Sequence, residues 1–448
     1  MAIISMAIRV PTVLCLVFTM GVLWGVAEPT DAQPVLPPDD PDVIPGGGIT
    51  VDTERVLRAR ELEHDPRQQR LNERALERLQ AEGRLVCVSL RDSLALAKDA
   101  IDAGRTVPDE LAYLGGMIRL QYLVVDREQQ DLILLGLADG IDTSDPARPV
   151  GEASGQPLLR LEDLVFALRT WGPGNRPARF GCSIDMPDGA QQRFVEALNQ
   201  ANRRGAEGNE KRRMLAQAIG PQPVRYWGIP AESRIARVML EADVRMKRLG
   251  LGLDDSPVTG VRALVSGRDA RYTRCWFQPD YQPIGVSMDG TWYRFDGPRL
   301  RLATSRTAAG EDPDVSPQAR RFVQASNAKM PQMIGAIDAW GELANAMDLA
   351  LLASLIRADR LDFRAGLELG WVMDPDSGYP FEELERVKAV EPMVVDLRGG
   401  YAAGGVVIDF DPVLAGDARV ELDADELIDD LPPRPAPGNA VWLTQGRP

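Results

Sequence analysis

Asp185, Glu241 and Asp243 are the carboxylates placed to do chemistry. Glu241 and Asp243 stand two positions apart in the helix-forming run from Ala231 to Leu249, and Asp185 ends the strand-like Gly181-Cys182-Ser183-Ile184. Two carboxyl groups about 5 to 9.5 Å apart across a cleft are the working pair of a glycan hydrolase, one giving a proton while the other attacks or activates water. Arg245, Arg274 and Trp276 accompany them as ligand-binding candidates, and Trp276 with Trp292 could wall such a cleft. The same helix has a simpler reading. Arg237 with Glu241, Glu241 with Arg245, and Asp243 with Lys247 are i,i+4 pairs, each worth about 0.2 to 0.5 kcal/mol on an exposed surface. A salt-bridged, solvated helix face therefore accounts for all of them, and spacing alone does not bring two acids together.

Other chemistries have less to stand on. The only histidine, His64, lies in a highly charged stretch two residues before Pro66, so a histidine-rich zinc or iron site is excluded. For the same reason Gly181-Cys182-Ser183-Ile184-Asp185, which begins like a nucleophile elbow, has no base nearby. Asp374, Asp376 and Glu385 occupy the first, third and twelfth positions of a calcium-loop pattern. Tyr379 stands where the turn glycine belongs and Pro380 follows it, so a surface turn is the better reading and no metal is assigned. Gly250-Leu251-Gly252 and Gly399-Gly400 lack the context that cradles phosphate, and no cofactor is expected. Cys87, Cys182 and Cys275 are far apart, allow at most one disulfide, and read as small buried hydrophobes.

These residues must be positioned by elements the sequence outlines. Strand-then-helix units recur: Leu85 to Leu90 with Ser93 to Ala103, Ala178 to Ile184 with Gly189 to Arg203, and Val224 onward into the helix of Glu241. Asp92 is read as the cap of the first of these helices. Met117 to Val125 and Asp131 to Leu137 read as a hairpin. Arg271 to Ser305 reads as an antiparallel meander turning at Asp289-Gly290. Pro331 to Leu361 is helical, and its Leu-Ala-Leu-Leu-Ala-Ser-Leu-Ile end is apolar on nearly every side, as in a central core helix. Strands Val387 to Arg398 and Val406 to Phe410 close the C-terminal part as a hairpin. The expected class is mixed α/β, with antiparallel hairpins and a helical C-terminal part.

Both ends are expected to lie outside that body. Pro11 to Ala27 is uncharged, strongly apolar from Val13 to Trp24, and preceded by Arg9, which is the pattern of a cleavable secretory signal. Cleavage is placed after Ala32, with Ala27 as the alternative, and no transmembrane anchor is expected afterwards. The domain order then runs as signal peptide 1–32, Pro/Gly-rich linker 33–52 and charged helical segment 53–84, split by Pro66. A mixed α/β region 85–305, a helical region 306–416 and an acidic, Pro-rich tail 417–448 follow. The formal charge of −15 disfavours nucleic acid as a partner.

The run Val224 to Leu253 resembles the signature of an uncharacterised family of exported planctomycete proteins, the domain of unknown function fifteen ninety-eight. Tyr113-Leu114-Gly115-Gly116, Leu161-Glu162-Asp163-Leu164, Gly181-Cys182-Ser183, Arg274-Cys275-Trp276 and the helix around Trp340 to Ile356 follow in the family's order. Where relatives tend to carry histidine or threonine and then an aromatic, this chain has Arg234 and Ile235, and Val244 replaces another common aromatic. The resemblance implies export and a shared fold and carries over no catalytic residue. The favoured expectation is a non-enzymatic binding or assembly module of the cell envelope, acting on an unknown ligand or envelope protein. The alternative is the carboxylate-dependent glycan hydrolase.

Overall fold

The apolar runs assemble into two large β-sheets, with two small two-stranded ribbons beside them and helices packed between the large sheets, as the computed structural model shows. It describes residues 49–59, 65–83, 85–175, 179–264, 274–280, 282–297, 300–305, 317–382, 384–397, 400–402, 407–412, 418–423 and 439–444. The signal segment, the linker up to residue 48, His64, Gly399 and the acidic run 424–430 fall outside the described residues. The class is mixed α/β, as expected.

The larger sheet runs Ile49–Val51, Val56–Ala59, Ala389–Val390, Gln222–Trp227, Phe180–Ile184, Val407–Phe410, Arg274–Pro279, Leu300–Ser305. The second sheet runs Arg419–Leu422, Ile284–Ser287, Trp292–Phe295, Met117–Asp126, Asp131–Ala138, Leu85–Ser89, Val441–Leu443. Both are mostly antiparallel, with parallel neighbours where Ala389–Val390 meets Val56–Ala59, where Val407–Phe410 meets Arg274–Pro279 and where Arg419–Leu422 meets Ile284–Ser287. Helix Arg234–Leu251 packs on the larger sheet, and helix Asp338–Ala358 packs against that helix and against Met117–Asp126 of the second sheet.

Helix Asp338–Ala358 is long and apolar enough to cross a membrane, yet 94% of its most apolar stretch is buried within the protein. It is apolar all round because protein covers all of it. Its buried polar residues find partners: Asn345 donates to the Pro157 carbonyl (3.1 Å), Asp348 pairs with Arg119 through one carboxyl oxygen (2.7 Å), and the Ser354 hydroxyl accepts from Arg357 (3.1 Å).

Several local expectations change once distant partners are in place. The meander is two nested pairs: Arg274–Pro279 joins Leu300–Ser305 in the larger sheet, while Ile284–Ser287 and Trp292–Phe295 form the Asp289-Gly290 hairpin in the second. Each pair follows its own buried face into a different sheet. The closing hairpin is Val395–Leu397 with Gly400–Ala402, and Val407–Phe410 instead inserts between Phe180–Ile184 and Arg274–Pro279. Among the described residues of the charged segment, Val56–Ala59 before Pro66 is a strand and Pro66–Glu82 is helical, largely exposed around buried Ala75. Ile49–Val51, inside the stretch read as linker, and Arg419–Leu422 and Val441–Leu443, inside the stretch read as tail, are edge strands. Ser89, not Asp92, caps helix Leu90–Asp102, its hydroxyl accepting the Asp92 N–H.

Gly228 carries the chain from strand Gln222–Trp227 toward helix Arg234–Leu251. Its φ is +73°, and a Cβ there would stand 2.0 Å from the Arg179 carbonyl oxygen. Gly228→Ala is therefore expected to cost about 2 kcal/mol or more, read as a lower urea midpoint.

Candidate functional site

Helix Arg234–Leu251 begins at Ser233, whose hydroxyl accepts the Ala236 N–H, and ends at Gly252 in the left-handed region. Its charged residues are not a solvated face. Glu241, Asp243, Arg245 and Lys247 are all at most 4% exposed. The i,i+4 ladder gives way to partners from elsewhere in the chain. Glu241 meets Arg148 at 2.5 Å, and Arg148 also reaches Asp338 at 3.4 Å. Arg245 and Arg248 converge on Asp254, just past the helix end, at 3.5 and 2.7 Å. Arg237 donates to the Glu385 carbonyl. Positions 234, 241, 245 and 248 recur at helical spacing and form one ionic stripe.

A second stripe faces the larger sheet. Asp243 is wholly buried, and neither carboxyl oxygen finds a hydrogen bond among the described residues. Lys247, one turn on, donates to Gln222 at 2.6 Å. Strand pairing puts Tyr226 and Cys182 side by side, and Cys182 and Phe277 both opposite Ile408, so Tyr226, Cys182 and Cys275 share one sheet face. Burial pushes the Asp243 carboxyl well up, with Lys247 opposing, and brings the Lys247 ammonium down to about 8. Burial, with the Asp243 charge added, also raises the Cys182 and Cys275 thiols. All three described cysteines are free and buried.

The carboxylates singled out for hydrolysis do not share a cleft. Asp185 pairs with Arg225 at 2.6 Å on the opposite, exposed side of its strand, Glu241 is tied to Arg148, and Asp243 is sealed against the sheet. Trp276 lies in the larger sheet and Trp292 in the second, where its ring meets Tyr122 edge to face. Arg245 is inside the ionic stripe, and the Arg274 side chain lies outside what is described. Asp374 accepts the Asp376 N–H in a local turn, while Glu385 pairs with Arg55. Among the described residues no three His, Cys, Asp or Glu side chains group to hold a metal ion.

A cleft of about 590 Å³ opens instead where three segments meet. Helix Leu161–Trp171 contributes Glu162, Asp163, Phe166, Arg169 and Thr170, all on one face. The turn into helix Arg234–Leu251 contributes Pro230, Glu232, Ser233, Arg234 and Ile235, and the third wall is Phe381, Glu382 and Leu384. Phe166 and Phe381 meet edge to face at 6.4 Å, Tyr379 leans on Phe381 at 4.9 Å, and Trp371 stacks on Tyr379. Arg169 lies over the Phe381 ring at 5.1 Å, held by the Val372 carbonyl (2.7 Å) and Ser377 hydroxyl (2.5 Å).

Arg234 is the keystone of the cleft floor. It joins Asp163 at 2.6 Å to Glu342 at 3.0 Å, tying helix Leu161–Trp171 to both central helices. Desolvation works against its charge, but Asp163 and Glu342 outweigh that and hold the guanidinium charged more firmly than usual. Burial pushes the Glu162 carboxyl up, while the Glu382 N–H, bound at 2.6 Å, and Arg234 pull it down. The sequence signal for this site was the Glu162, Phe166, Thr170 spacing. Nothing periodic marked Phe381 or Glu382.

No curated protein and no solved structure matches the chain. Residues 182–264, which hold strand Gln222–Trp227 and the whole of helix Arg234–Leu251, match the family model described as "Protein of unknown function (DUF1598)", the family that the Val224 to Leu253 run resembles.

Proposed function

We propose that the protein is an exported binding module of the cell envelope whose ligand site is the cleft between Phe166, Arg234 and Phe381. The observation that carries this reading is the cleft itself. It has the size of a small-molecule site, two aromatic walls and a few convergent polar groups. Export is supported by the apolar N-terminal stretch and its small-residue cleavage site. The test is a thermal melt against glycans, cell-wall fragments, peptides and amines. A ligand at about 100 times its dissociation constant adds about 2.7 kcal/mol and moves the melting temperature by a few degrees. Phe381→Ala is expected to remove that shift, and a flat panel would overturn the reading.

A glycan hydrolase is the second reading, moved from Glu241 and Asp243 to the cleft. What favours it is Glu162, a carboxyl pushed up by burial as a general acid requires, with the Glu382 carboxyl lining the same cleft. If it holds, Glu162→Gln lowers glycan cleavage by about 100-fold or more. Absence of new reducing ends from any glycan in the panel sinks it.

A further inference from the structure

We propose that the ligand of this cleft carries a positive charge beside an apolar group, as a primary amine or guanidinium on an aromatic or aliphatic body. The proposal rests on the cleft being a binding site and adds the charge of what enters it.

The two cations of the cleft are committed: Arg234 spans Asp163 and Glu342, and Arg169 is held by the Val372 carbonyl, the Ser377 hydroxyl and the Phe381 ring. The carboxylates are not. The Glu232 and Glu382 side chains have no hydrogen bond or ion pair among the described residues, and Glu162 accepts one backbone N–H through one oxygen, leaving the other. An entering cation meets three carboxylates and displaces nothing. An entering anion meets the same three, must compete with Asp163 for Arg234, and finds as its other cation Arg169, which already donates to the Val372 carbonyl and the Ser377 hydroxyl.

Two helices start at the cleft, and their positive ends could argue for an anion. Both are already answered: Glu162 and Asp163 sit in the first turn of Leu161–Trp171, and the Ser233 hydroxyl caps Arg234–Leu251. The aromatic wall points the same way as the carboxylates. Phe381 carries a guanidinium on one side already, which shows the ring in a cation-binding role. Phe166, Ile235 and Leu384 supply the apolar surface for the body of the ligand.

The experiment titrates the purified full chain with acetyl-Phe-Arg-amide, its citrulline and glutamate counterparts, and phenethylamine, followed by saturation-transfer NMR. The arginine peptide or phenethylamine is expected to bind at least about tenfold tighter than the neutral citrulline peptide, and the glutamate peptide not at all. Peptide binding without phenethylamine binding would assign the charge to a peptide side chain; the reverse would assign it to a free amine. Glu382→Gln, on an exposed side chain that should leave folding intact, is expected to narrow the arginine-to-citrulline ratio. Rising salt should narrow it too. Equal binding of arginine and citrulline peptides, lost in Phe381→Ala, would overturn the charge while keeping the cleft as a site. No binding by either cation at millimolar concentration would overturn the charge as well. The cleft reading falls only if the wider ligand panel is also flat.

Discussion

Arg234→Met is expected to lower the stability of the folded protein by about 3 to 5 kcal/mol, seen as a fall in the urea midpoint at unchanged slope. Arg234 is one-tenth exposed and, among the described residues, is the only cation joined to both Asp163 (8% exposed) and Glu342 (12%) by an ion pair. Methionine fills much of the space but leaves two carboxylates facing each other without compensation. Asp163 would then take up a proton more readily, because burial already pushes its carboxyl up and Arg234 is the main opposing influence. Arg234→Lys should recover only part of the loss, since one ammonium cannot reproduce a fork that reaches Asp163 through one nitrogen and Glu342 through the other. A loss below about 1 kcal/mol would mean that water reaches these carboxylates freely.

Lys247→Met should cost about 3 kcal/mol or more at neutral pH, and adding Asp243→Asn should restore it and exceed the original by about 1 kcal/mol or more. Among the described residues Lys247 is the one charge that favours the ionised form of Asp243. The pH dependence follows from the two shifts. The Asp243 carboxyl is raised above its ordinary 3.8, so its contribution is full below that pH and is lost as pH rises. The Lys247 ammonium is lowered from 10.5 to about 8, so its contribution is full above 10.5 and is lost as pH falls through about 8. The doubly substituted protein should therefore show a flatter dependence of stability on pH than the original, measured by urea titration across that range. An equally steep dependence would assign it to other groups.

The sequence made the class legible, because period-2 and period-3.6 apolar patterns survive whatever the strands pair with. The core helix Asp338–Ala358 was legible for the same reason: apolar on all sides has few other meanings. The surroundings of Glu241 were not. An i,i+4 ladder is identical in sequence whether it faces water or protein, and what decides it is Arg148, 93 residues away, and Asp254 beyond the helix cap. The cleft was half visible. Leu161–Trp171 shows its face by spacing, whereas Phe381 and Glu382 come from an irregular segment that only the fold brings back to it.

Strand Val407–Phe410, seated between Phe180–Ile184 and Arg274–Pro279, bears on what counts as a unit of this molecule. The family match begins at residue 182 and ends at 264, yet every sheet neighbour of that stretch, apart from the pairing of its own two strands, comes from after residue 388. Helix Arg234–Leu251 is covered on its other side by a helix that starts at residue 338. The matched piece is thus a stretch of inheritance without autonomy: cut out, it would expose both sheet edges and a buried ionic helix to water. Assembly must wait for chain more than a hundred residues downstream, so the order of synthesis and the order of folding part company, and closure of this sheet belongs among the slow, late steps.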